Sequence, residues 1–96
     1  MRIEVLYVED CPHYRAVMDR LRTVLREEGL SDGISGIEVK DAPAAKLLKF
    51  SGSPTVRING RDLGGVTETA FACRWYPAGL PSEEAIRDAL REAREQ

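Results

Sequence analysis

Residues 2 to 8, Arg-Ile-Glu-Val-Leu-Tyr-Val, constrain the fold more than any other stretch, because an extended chain there is apolar on both faces. Successive side chains of a strand point to opposite sides, so Ile3, Val5 and Tyr7 share one face while Leu6 and Val8 share the other. Such a strand needs cover above and below, which places it in the middle of a sheet with further layers on each side.

The apolar period then changes. From Tyr14 to Leu25, the residues Tyr14, Val17, Met18, Leu21, Val24 and Leu25 recur three and four apart, which is one stripe of an α-helix. Pro12 suits its first turn, where a missing N–H costs nothing, and Gly29 suits its end. Ile34, Ile37 and Val39 predict a short second strand interrupted by Gly36. Asp41 predicts an N-cap for a small helix running through Leu47, Leu48 and Phe50 and ended by Ser51-Gly52.

In the next stretch, Ser53-Pro54-Thr55-Val56-Arg57-Ile58-Asn59-Gly60-Arg61-Asp62-Leu63, Val56 and Ile58 alternate with polar neighbours, and Asn59-Gly60 signals a two-residue hairpin. Residues 64 to 81 carry no period and contain Cys73-Arg74-Trp75-Tyr76-Pro77, with Phe71 close by. Ser82 caps a last helix, with Glu83 and Glu84 in its first turn and Ile86, Ala89, Leu90 and Ala93 as the buried stripe. The order β-α-β-α-β-β-α predicts an α/β fold: a mixed four-stranded sheet with helices on both faces.

Ninety-six residues, 43% hydrophobic and 31% charged, leave room for one domain over residues 1–96 with one modest core. The 14 basic and 16 acidic residues are scattered, net charge -2, with no basic block to hold nucleic acid or anionic lipid. No apolar run approaches the ~20 residues that cross a bilayer, and Glu4 interrupts what would be the apolar core of a signal peptide. The expectation is therefore a cytoplasmic protein, monomer or homodimer, with neither nucleic acid nor membrane as partner. The runs from Arg15 to Arg20 and from Arg87 to Arg94 read as solvated helix faces laced with i,i+4 ion pairs.

Two cysteines, Cys11 and Cys73, are too few for a disulfide framework, and in a reducing compartment thiols serve reactivity or metal binding more often than stapling. Cys11 stands before Pro12-His13 at a helix start. The thiolate is the reactive form of cysteine, and unpaired N–H groups at the positive end of a helix dipole stabilise it. His13 adds to that effect when protonated, while Glu9 and Asp10 oppose it. Because His13 is the single histidine, histidine-rich metal sites are excluded. Tyr14 opens the apolar stripe, which gives it a packing role, and its hydroxyl is also a candidate to reach Cys11 or a substrate.

The element order, with Cys11-Pro12-His13 opening the first helix and Ser53-Pro54-Thr55 opening the third strand, resembles the thioredoxin fold over essentially the whole chain. The tripeptide is similar to the Cys-Pro-His-Cys motif of bacterial disulfide-introducing oxidases. The resemblance implies that Cys11 is the nucleophile, that Pro12 and His13 are the intervening pair, and that Pro54 is a cis-proline facing the active site. It also implies that Ser53 offers its backbone to an extended peptide. Three features depart from that pattern: Tyr14 replaces the resolving cysteine, no tryptophan precedes Cys11, and the irregular segment holding Cys73 is longer than the usual connection.

The leading expectation is thiol-disulfide exchange or thiol transfer, with no cofactor. Cys11 would attack, and either Cys73 or an external thiol such as glutathione would resolve the mixed disulfide. Catalytic roles then fall on Cys11, His13 and Cys73, and substrate contacts on Pro12, Tyr14, Ser53 and Pro54. One alternative is a soft-metal or organomercurial site formed by the thiolates of Cys11 and Cys73; chains with a Cys-Pro-X-Tyr opening resemble proteins grouped with alkylmercury lyases. Another is a thioredoxin-fold peptide-binding module without thiol chemistry.

Overall fold

The computed structural model describes residues 1–50, 52–63 and 81–95. Its elements are β1 (Ile3–Tyr7), α1 (Tyr14–Glu27), β2 (Ile34–Glu38), α2 (Ala42–Leu47), β3 (Thr55–Ile58), β4 (Arg61–Asp62) and α3 (Glu83–Arg94). They form a mixed four-stranded sheet in the order β2-β1-β3-β4. β1 pairs parallel with β2 and antiparallel with β3, so the strand apolar on both faces is central.

The two faces of β1 found two clusters. Ile3 and Val5 pack with Val56 and Ile58 of β3 beneath α1 and α3, which contribute Val17, Leu21, Val24, Ile86 and Leu90. Leu6, on the opposite face, packs with Val39, Ala45 and Phe50 on the side of α2. Ala89 and Ala93 flank the first cluster, completing the stripe expected of α3.

Helix ends follow local chemistry. Ser82 Oγ accepts from the Ala85 N–H at 3.0 Å, and Asp41 Oδ1 accepts from the Ala44 N–H at 2.8 Å, each removing an orphan donor. α1 stops in a Schellman motif: Gly29, at φ 69°, donates to the Arg26 carbonyl and Leu30 to that of Leu25. The start of α1 differs from expectation. Tyr14 N–H bonds the Cys11 carbonyl at 3.4 Å, so Pro12 lies in a tight turn before the helix and His13 is the N-cap.

α2 also departs from the sequence reading. It ends at Leu47, before Ser51-Gly52, in a second Schellman motif with Lys49 at φ 54°. Lys49 donates to the Lys46 carbonyl and Phe50 to that of Ala45, so Phe50 follows the helix and turns inward. A left-handed lysine costs roughly 1–2 kcal/mol. The compensation comes from β3, where Arg57 Nη2 donates to the Leu48 and Lys49 carbonyls at 2.7 and 2.9 Å.

The hairpin forms as expected. Asn59 and Gly60, at φ 53° and 82°, make the left-handed pair of a type I′ turn, and Asn59 Oδ1 also accepts from the Arg2 N–H at 2.8 Å. The charged run of α3 does not form the expected pairs within its own helix. Arg87 pairs with Glu27, and Arg91 with Glu28 at 2.7 Å, both reaching α1. These guanidinium groups offset carboxylates at the C-terminal end of α1, where the helix dipole disfavours negative charge. Among the described residues, no helix is long and apolar enough to cross a membrane.

Two outcomes follow for stability. Phe50 is fully buried in the smaller cluster, so Phe50→Ala is expected to lower unfolding free energy by about 3–5 kcal/mol in a urea titration. The hydrogen bond from Arg91 holds the Glu28 carboxyl below its ordinary value of 4.5. A depressed carboxylate stabilises the fold above that value and loses its contribution as pH falls through the native pKa. Arg91→Ala should therefore lower the melting temperature at neutral pH, and the difference from wild type should vanish under acid conditions that protonate Glu28 in both states.

Candidate functional site

β1 delivers the chain to a turn at one end of the sheet. Asp10 adopts φ 63°, in the left-handed region that aspartate tolerates, and the Cys11 N–H returns to the Val8 carbonyl at 3.3 Å. Cys11 is half-buried at this turn, immediately before the α1 entrance.

Ser53 meets the turn from the other side of the chain. Its Oγ accepts from the Val8 N–H at 3.1 Å, and its carbonyl lies 3.7 Å from Cys11 Sγ, in position to accept from the thiol. Ser53 and Thr55 are completely buried, and Thr55 Oγ1 donates to the Gly52 carbonyl at 2.6 Å. The Ser53–Pro54 peptide bond is cis, and Pro54 is buried. One serine thus joins the end of β1, the cysteine turn and the approach to β3.

Other candidate residues are placed differently. Pro12 and His13 are exposed, and the His13 side chain makes no capping bond to α1. Tyr14 stacks on Tyr7 with ring centroids 4.0 Å apart, and its hydroxyl extends over Gly36 of β2. A Cβ at Gly36 would stand 2.6 Å from Tyr14 Oη but 3.7 Å from Cζ. The glycine that interrupts β2 therefore accommodates the phenol oxygen. Cys73 lies outside the described residues, as do Phe71, Trp75 and Tyr76.

The sequence reading assigned Ser53 a backbone role toward substrate and missed its two contacts to the cysteine loop. A serine before a proline carries no local signal for bonds to residues 42 and 45 positions away. In sequence Gly36 only interrupts a strand; its purpose emerges when Tyr14 is laid across it. Among the described residues, no group of three His, Cys, Asp or Glu side chains is arranged to hold a metal ion. Comparisons with protein-family models, curated proteins and solved structures find no match to this chain.

The phenol contact yields a rescue test. Tyr14 is held against Tyr7 and cannot swing freely, so Gly36→Ala should cost about 1–3 kcal/mol through overpacking. Tyr14→Phe removes the atom at 2.6 Å, and the double variant should recover most of that loss in chemical denaturation. Equal destabilisation of the single and double variants would show that the hydroxyl is not what Gly36 accommodates.

Proposed function

We propose that this chain is a small thioredoxin-like protein of thiol-disulfide exchange or thiol transfer, with Cys11 as the nucleophile. The observation that carries the reading is the half-buried Cys11 Sγ at the α1 entrance, facing the carbonyl of the residue that precedes Pro54. The strand order β2-β1-β3-β4, with α2 opposite α1 and α3, supports the thioredoxin-like arrangement.

The chemistry proceeds in two displacements. Cys11 first loses its proton to solvent. The thiolate attacks one sulfur of a disulfide, the Cys11–sulfur bond forms as the old S–S bond breaks, and the departing thiolate takes up a proton. A second thiolate then resolves the mixed disulfide. An external thiolate attacks the substrate sulfur, frees Cys11 and leaves in a new disulfide, whereas Cys73 would attack the Cys11 sulfur, expel the substrate thiolate and form a Cys11–Cys73 disulfide. Electrons pass from the thiols to the original disulfide, and no cofactor enters. The second thiol is Cys73 or an external thiol such as glutathione.

Two features of the surroundings of Cys11 bear on this role in opposite senses. The N-terminal end of α1 favours an anion, whereas the hydrogen bond from the S–H to the Ser53 carbonyl favours the neutral thiol and is given up on ionisation. Pro12 and His13 follow the sulfur in sequence and are exposed, Pro54 follows the serine whose carbonyl faces it, and Tyr14 contributes through packing.

Incubation with glutathione disulfide followed by peptide mass spectrometry provides the test. The expected product is a glutathione adduct at Cys11, or a Cys11–Cys73 disulfide derived from it, absent in Cys11→Ser. A Cys11 that stays unmodified while the unfolded chain reacts readily would overturn the proposal and leave a peptide-binding module without thiol chemistry.

A further inference from the structure

Two shallow grooves run along the flank of α1 facing β2, with volumes of about 500 and 480 Å³. They adjoin at Met18 and Arg22, which line both, and together make up a trough along the helix. Its apolar floor includes Met18, Leu25 and Ile34, and its rim carries Arg15, Arg22 and Arg26. These arginines are seven and four residues apart, which aligns them along one side of the helix.

The carboxylates nearby are already engaged. Asp19 pairs with Arg22 at 3.5 Å, and Asp32 lies 3.3 Å from the Met1 amino group. Arg15 and Arg26 make no ion pair or hydrogen bond through their side chains among the described residues, although Arg87 and Arg91 of α3 both pair with glutamates. Arg15 and Arg26 thus leave two positive charges along the trough without an ion pair among the described residues. One end is at Tyr14, whose N–H bonds the Cys11 carbonyl.

We infer that this trough binds an extended acidic segment of a partner protein and leads it toward Cys11. From Arg15 to Arg26 the helix rises roughly 16 Å, the span of about five extended residues. Carboxylates at the first and last residues of such a segment stand about 14 Å apart, close enough to the roughly 16 Å rise between Arg15 and Arg26 for their long side chains to reach both. Their intervening side chains face the apolar floor. Docking stands on the trough alone; the further statement that the partner delivers its disulfide to Cys11 rests on the thiol-exchange reading.

The test uses Cys11→Ser, which binds without covalent capture, and a fluorescein-labelled pentapeptide alternating glutamate and alanine. Anisotropy at low ionic strength should show saturable binding that weakens with added salt, and a lysine-alanine counterpart should not bind. Reversing Arg15 and Arg26 to glutamate in that background should weaken the acidic peptide by about tenfold or more. Equal binding of both peptides, or affinity unchanged by the double reversal, would overturn the inference and return the stripe to a solvated helix face. Concentration-dependent dimerisation in sedimentation that the double reversal abolishes would overturn it in favour of a second copy. Exchange is read separately, on the wild-type protein with 2-hydroxyethyl disulfide. No exchange with that probe, alongside retained acidic-peptide binding, would remove the exchange reading and leave the docking site.

Discussion

Burial of β1 on both faces is the constraint on which the other placements depend. Val5 and Leu6 are adjacent in sequence and both almost completely shielded, yet they point into different clusters. Side chains on opposite faces can both be removed from water only if helices cover each side of the sheet. The gain from burying such residues, about 1.5–3 kcal/mol each, helps hold α1 and α3 on one side and α2 on the other. Once β1 is central, its C-terminal end opens at the edge where α1 begins, and the cysteine turn has no other place to be.

Much of this was legible because it is local or periodic. The stripe from Val17 to Leu25, the Asn59-Gly60 turn and the Ser82 cap each lie within a few residues, and the structure forms them as the side-chain chemistry dictates. The end of α2 was not legible. No glycine marks it, and the left-handed Lys49 is supported by Arg57, whose guanidinium returns from the next strand to the last carbonyls. Ion pairs gave a similar result. Spacing alone suggested pairs within α3, whereas antiparallel packing against α1 put Glu27 and Glu28 within reach of Arg87 and Arg91.

The site divides along the same line. Cys11 stands out in sequence by its residue type and by Pro12-His13 after it, but the serine that organises its turn does not. Ser53 spends its hydroxyl on the Val8 N–H and presents its carbonyl to Cys11, so a fully buried side chain does for the loop what hydrogen bonding between strands does for the sheet. Tyr14 shows the reverse case. Its position after Cys11-Pro12-His13 invites a role at the sulfur, while packing turns its ring onto Tyr7 and its hydroxyl toward Gly36.

This division bears on how, in the thiol-exchange proposal, Cys11 would be selective with Tyr14 in place of a cysteine three residues on. With a tyrosine directed into the fold, the local turn supplies one sulfur and leaves the choice of reaction partner to surfaces outside it. The proposed recognition elements meet at the α1 entrance: the Ser53 carbonyl on one side and, through Tyr14, the arginine-rimmed flank of the helix on the other. Tyr14, where the resemblance would place a second cysteine, is thus also the residue that connects the sulfur's turn to that flank. In the proposed chemistry, a tyrosine at this position would remove rapid local resolution and set a packing residue between the sulfur and the helix flank. On the thiol-exchange proposal, Cys11 would discriminate by what docks beside it, because its own turn holds no second thiol to compete for the mixed disulfide.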